Sequence, residues 1–111
     1  MSTEPLNIVV LISGSGSNLQ AIIDAINAGE LHAKISAVVS NRPNVKGLER
    51  AKSAGIPTHT LDHTEFESRE SFDRQLMRTI DQYQPQLVIL AGFMRILTDD
   101  FVAHYGTNFG M

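Results

Sequence analysis

The chain has 111 residues, of which 42% are hydrophobic and 19% charged, the size and composition of one soluble globular domain with no room for a second. Nine Lys and Arg against twelve Asp and Glu leave a formal charge of -3, so no global positive field draws the chain to nucleic acid or anionic lipid, and any anion it binds must be captured locally. The absence of cysteine excludes disulfides, thiolate catalysis and cysteine-based zinc or iron–sulfur sites, and a reducing cytoplasm is the natural setting.

Residues 1–5 carry an acid and a proline where a secretory signal would place positive charge, and read as a flexible leader to a single α/β domain over residues 6–111. Leu6 to Ile12 is almost continuously apolar and rich in β-branched residues, which predicts a strand covered on both faces. Ser13-Gly14-Ser15-Gly16 breaks it. From Ser17 onward, Leu19, Ile22, Ile23 and Ile26 form a helical stripe that ends at Ala28-Gly29. Ala33 to Ser40 predicts a second strand, followed by a turn at Asn41-Arg42-Pro43-Asn44 that caps a short helix running through Ala54 and stopped by Gly55. Ile56 to Leu61 is a short third strand with Pro57 near its start. Phe72, Leu76, Ile80 and Tyr83 recur at helical spacing on a segment opening near Ser68 and stopping before Pro85. Gln86 to Gly92 predicts a fourth buried strand, and Thr98-Asp99-Asp100 caps a last helix carrying Phe101, Val102 and Tyr105.

Strands alternating with helices imply parallel pairing and right-handed crossovers, hence an α/β fold with a doubly wound, mostly parallel, Rossmann-like sheet of about four strands. Ligands collect beyond the C-terminal strand ends in such sheets. No apolar run is long enough to cross a bilayer as a helix.

At the first strand tip, Ser13 to Asn18 supplies two glycines, free N–H groups, three hydroxyls and an amide where a helix begins, an anion pocket made without net charge. Ser17 or Asn18 acting only as an N-cap is the alternative. The third glycine of a dinucleotide fingerprint falls at Leu19, no Gly-Lys-Ser/Thr follows, and Ser40-Asn41 stands where an acid would close the second strand. A single sugar phosphate is favoured over NAD or a nucleoside triphosphate.

Ile8 to Gln20, with Val39-Ser40-Asn41, Gly47-Leu48-Glu49-Arg50-Ala51, Ala54-Gly55-Ile56-Pro57-Thr58 and Val88-Ile89-Leu90-Ala91-Gly92-Phe93-Met94-Arg95-Ile96-Leu97, resembles the N-terminal half of the phosphoribosylglycinamide formyltransferases, in register from about Asn7 to Tyr105. The resemblance implies a formyltransferase-type fold and an enzyme of de novo purine (IMP) biosynthesis that moves a formyl group from 10-formyltetrahydrofolate to the amine of glycinamide ribonucleotide, with no metal. It implies that Gly16, Ser17, Asn18, Leu19 and Gln20 hold the ribonucleotide's phosphate end, and that Arg69, Met94, Arg95, Ile96 and Leu97 contact the folate. On the residues alone, Phe93, Met94, Ile96 and Leu97 are more often plain core residues than a cofactor contact. Arg69 has surface partners within reach in Glu65, Glu67, Glu70 and Asp73, and Arg95 in Asp99 or Asp100.

The family's catalytic Asn and His arrive as Asn-x-His-Pro-Ser just after the position of Tyr105, and its Asp lies further on. Here Tyr105 is followed by Gly106-Thr107-Asn108-Phe109-Gly110-Met111, so Asn108 does not match and no catalytic residue is assigned. His32, His59, His63 and His104 show no spacing of a triad or metal site. The expectation is a truncated transformylase, inactive alone, whose fourth strand has one open edge and promotes self-association. A non-catalytic sugar-phosphate-binding module is the alternative.

Overall fold

The computed structural model describes residues 4–94 and 98–105, together with the main chain of 109–110. Its elements run β1 (Leu6–Ile12), α1 (Ser17–Asn27), β2 (Ala33–Ser40), α2 (Lys46–Ser53), β3 (Thr58–Thr60), a single 3-10 turn at His63–Glu65, α3 (Arg69–Asp81), β4 (Leu87–Leu90), α4 (Asp99–Tyr105) and β5 (Phe109–Gly110). All pairings are parallel, in the order β3-β2-β1-β4-β5.

β1 is central because its sequence is apolar on both faces, and successive residues serve two different cores. Ile8, Val10 and Ile12 pack with Leu19 and Ile23 of α1 and Leu48 and Ala51 of α2. Val9 and Leu11 pack with Phe72, Leu76 and Ile80 of α3 and Phe101 and Tyr105 of α4 on the opposite face. The expected doubly wound sheet is therefore present. α3 has the strongest start signal, a reciprocal capping box in which the Ser68 hydroxyl accepts from the Ser71 amide and Ser71 Oγ accepts from the Ser68 amide.

Four details depart from the sequence reading. β3 begins at Thr58 rather than Ile56, because Pro57 has no N–H to give the ladder. α2 is not capped from the Asn41–Asn44 turn: Asn44 adopts a left-handed φ of 58°, and Val45 occupies the cap without a side-chain bond. α1 starts from Gly16, at φ 75°, with no side-chain cap, so neither Ser17 nor Asn18 plays that part. Finally, β4 does not have a wholly open edge. Phe109 and Gly110 pair with Val88 and Ile89, a fifth strand too short for periodicity to reveal.

Candidate functional site

The strand order reverses direction between β2-β1 and β4-β5, so the crevice between the tips of β1 and β4 is the topological switch point where ligands bind in open α/β sheets. A cavity of about 150 Å³ lies there, lined by Gly14, Ser15, Gly16, Ser17 and Asn18 from the first tip and Ala91, Gly92 and Met94 from the fourth. Larger hollows lie elsewhere, one between the flanks of α1 and α2 and another beside the N-terminal ends of β1 and β2. Position at the switch point, not size, marks the site.

The loop is built from α2 as much as from its own sequence. The Gly47 amide donates to the Gly14 carbonyl at 3.0 Å, and Arg50 Nε donates to the Ser15 carbonyl at 2.8 Å. The Gln20 amide closes the first helical bond onto the Gly16 carbonyl at 2.8 Å. A Cβ on Gly16 would lie 2.5 Å from Gly47 Cα, and one on Gly47 would lie 2.5 Å from Ile12 Cδ1. Two glycines facing each other bring the start of α2 into contact with the loop. Gly47 was not singled out in the sequence for this; the available signal was a glycine inside a helix, which costs about 1 kcal/mol relative to alanine without a close approach to justify it.

Of the three loop hydroxyls, Ser13 does not belong to the anion pocket. It is buried and donates to Asn41 Oδ1 at 2.6 Å, and it accepts from the Met94 amide at 2.7 Å. Asn41, equally buried, places its Nδ2 3.5 Å from His63 Nδ1, and that ring nitrogen lies 3.1 Å from the Asn41 carbonyl. One polar chain thus joins the tips of β1, β2 and β4 to the turn after β3. His63 serves in this network and shows no catalytic pairing. Beside it, the Thr64 hydroxyl and then the Thr64 amide hold the Asp62 carboxyl below its ordinary value.

The expected ribonucleotide-binding residues come together in the loop, with divided roles. Ser17 and Asn18 are exposed, Gly16 supplies main chain, and Leu19 is fully buried in the core, leaving only its amide for a ligand. The Gln20 side chain is engaged with Asp24 at 2.9 Å and with Arg50 Nη1 at 3.3 Å.

Among the expected folate-contacting residues, Met94 stands 77% exposed at the cavity rim, while its neighbour Phe93 packs into the α3–α4 core. The core alternative therefore holds for Phe93 and fails for Met94. Arg69 is exposed at the start of α3, and among the described residues it forms no ion pair with Glu65, Glu67, Glu70 or Asp73. Asp73 instead accepts from the Thr98 amide at 2.6 Å, just ahead of α4. Arg95, Ile96 and Leu97 lie outside the described residues. His59 contacts Tyr83, and His104 pairs with Asp81 at 2.8 Å; both are structural contacts remote from the loop. No group of three or more His, Asp or Glu disposed to hold a metal is found among the described residues.

This loop, set opposite an exposed apolar residue at the switch point of a 3-2-1-4-5 sheet, coincides with a family match: the formyl transferase profile covers residues 6–109. The chain belongs to the formyl transferase family. It is 58% identical over 100 residues to the phosphoribosylglycinamide formyltransferase of Escherichia coli K12, covering 90% of this chain and 47% of that protein. It is 44% identical over 95 residues to the human trifunctional purine biosynthetic protein adenosine-3, covering 86% of this chain and 9% of that one. Among solved structures, the phosphoribosylglycinamide formyltransferase of Coxiella burnetii, in complex with CHES, superposes with a TM-score of 0.93 at 57% identity, over 96% of this chain and 50% of the other. Glycinamide ribonucleotide transformylase 1 of Symbiobacterium toebii gives a TM-score of 0.91 at 36% identity, over 97% and 51%. The chain thus spans about half the length of the bacterial relatives it matches.

Proposed function

We propose that this chain is the ribonucleotide-binding part of a phosphoribosylglycinamide formyltransferase of de novo purine biosynthesis. The observation that carries the reading is the loop at Gly14–Asn18, whose residues line a small cavity at the switch point in a chain 58% identical to an enzyme of that name. A phosphoryl group suits it, because main-chain donors and the start of α1 favour an anion, with no lysine or arginine among the described residues that line the cavity.

The co-substrate is 10-formyltetrahydrofolate, which supplies the formyl group. The chain's own contribution to it is Met94, an exposed thioether beside the phosphate cavity, over which a flat heterocycle removes apolar surface from water. Arg69 starts a helix that follows β3 and so sits at the same end of the sheet as the loop, a fitting place for an anionic group of that ligand. Formyl transfer builds negative charge on oxygen and requires a proton acceptor near neutral pKa. No residue of this chain matches the family's Asn-x-His-Pro-Ser, so we assign these 111 residues binding and not proton transfer. The setting is cytoplasmic. Copies of the 111-residue polypeptide associate along the β5 side of the sheet, where β4 is paired with β5 at two positions among the described residues; a monodisperse monomer in sedimentation at micromolar concentration would remove that element.

Calorimetry with glycinamide ribonucleotide tests the reading. Saturable binding that inorganic phosphate competes away is expected. Absence of binding in folded protein, or formylated product from the 111-residue polypeptide alone, overturns the assignment.

A further inference from the structure

Three consecutive loop carbonyls are occupied, and each is occupied from the protein side. Gly14 O accepts from the Gly47 amide, Ser15 O from Arg50 Nε and Gly16 O from the Gln20 amide. In a trans peptide the C=O of one residue and the N–H of the next point in opposite directions, and no cis peptide occurs among the described residues. Fixing those three carbonyls toward α1 and α2 therefore turns the amides of Ser15, Gly16 and Ser17 the other way. None of the three donates to another group among the described residues. Convergent, unpaired amides of this kind form an anion nest.

We infer that Arg50 is a positioning residue for this nest, acting through the Ser15–Gly16 peptide and not as a direct cationic contact to the phosphate. Two of its five donors are engaged within the protein: Nε to the Ser15 carbonyl at 2.8 Å and Nη1 to Gln20 Oε1 at 3.3 Å, with Gln20 held in turn by Asp24. A charged donor on the carbonyl polarises the peptide and strengthens the N–H on its far side as a donor. The Gly16–Gly47 contact keeps α2 close enough for this bond to form. The inference rests on the proposed phosphate site, and it concerns how a chain of net charge -3 orients main-chain donors toward an anion.

Two variants separate orientation from charge. In Arg50→Gln the Nε2 amide occupies the topological place of Arg Nε, so it keeps the bond to Ser15 O while losing the charge. In Arg50→Met no donor remains. Affinities for inorganic phosphate and for glycinamide ribonucleotide are measured on the same chain, with thermal unfolding to establish that each variant folds. Orientation predicts a loss of about tenfold for Arg50→Met and at most about threefold for Arg50→Gln, with amide resonances of Gly16 and Ser17 shifting on phosphate addition in the wild type and in Arg50→Gln. Equal losses in both variants, or no loss in Arg50→Met, overturn the inference. If the wild type binds phosphate but not glycinamide ribonucleotide, the proposed substrate fails while the role of Arg50 is still decided by the phosphate series. If a variant is unfolded, the wild-type amide shifts decide: an absence of movement at Gly16 and Ser17 on phosphate addition overturns the inference, and movement there supports it.

Discussion

The Met94 amide donates to the buried Ser13 hydroxyl at 2.7 Å, tying the end of β4 to the end of β1 across a separation of 81 residues. Because Ser13 spends its only proton on Asn41 Oδ1, its lone pairs are left to face Met94, and the direction of the contact is set. The rim of the proposed folate site is thereby attached to the strand that carries the phosphate loop.

Ser13→Ala leaves Asn41 Oδ1 without this partner in a buried setting and the Met94 N–H without it in a part-buried one. A loss of about 1–3 kcal/mol of stability is expected from urea unfolding, with faster hydrogen exchange at the Met94 amide. Unchanged exchange there would show that the contact does not anchor the β4 tip.

Gly16→Ala meets two obstacles, a left-handed φ of 75° and a Cβ only 2.5 Å from Gly47 Cα. The conformational cost of about 1–2 kcal/mol and an overpacking cost of about 1–3 kcal/mol act together. Gly47→Ala meets only the steric one, at Ile12 Cδ1 and the Gly14 carbonyl. Gly16→Ala should therefore be the more destabilised by chemical unfolding, and both should weaken phosphate binding.

Asn18→Asp has opposite effects on stability and binding. A carboxylate in the first turn of α1 favours the helix dipole by about 0.3–1 kcal/mol, so the unliganded chain should unfold slightly later. The same charge repels a bound phosphate by roughly 3 kcal/mol at a separation near 5 Å and an effective dielectric of 20, a loss of more than tenfold in affinity. A variant that is both less stable and unaltered in phosphate affinity would contradict the placement of Asn18 at the pocket.

Tyr105 governs the alkaline limit. Burial, and then the Asp81 carboxylate whose Oδ1 accepts from the phenol at 3.0 Å, raise its pKa above the ordinary value of 10.0. A folded-state pKa raised in this way contributes stability that is fully present below about pH 10 and is lost as the pH climbs beyond it, by up to roughly 1.4 kcal/mol per pH unit. Tyr105→Phe should flatten that decline in unfolding experiments above pH 10 while costing some stability at neutral pH through the lost bond to Asp81.

Much of this was legible without coordinates wherever the signal was local. The continuous apolar run at Leu6–Ile12 and the stripe from Leu19 to Ile26 report period and burial directly, so β1 and α1 follow from the residues themselves. The glycine-serine break after β1 is legible for the same reason, since a backbone free to turn between a strand and a helix leaves amide donors unspent. Tertiary structure alone decided which residues face that loop. Met94 and Phe93 are adjacent and both apolar, yet one is exposed and the other packs on α3 and α4. Ser13 turned inward, Gly47 and Arg50 arrived from another helix, and β5 formed from two residues, because each depends on the register of strands far apart in the chain. Composition and periodicity report how a segment meets solvent, whereas a contact between segments is fixed only when the whole sheet is assembled.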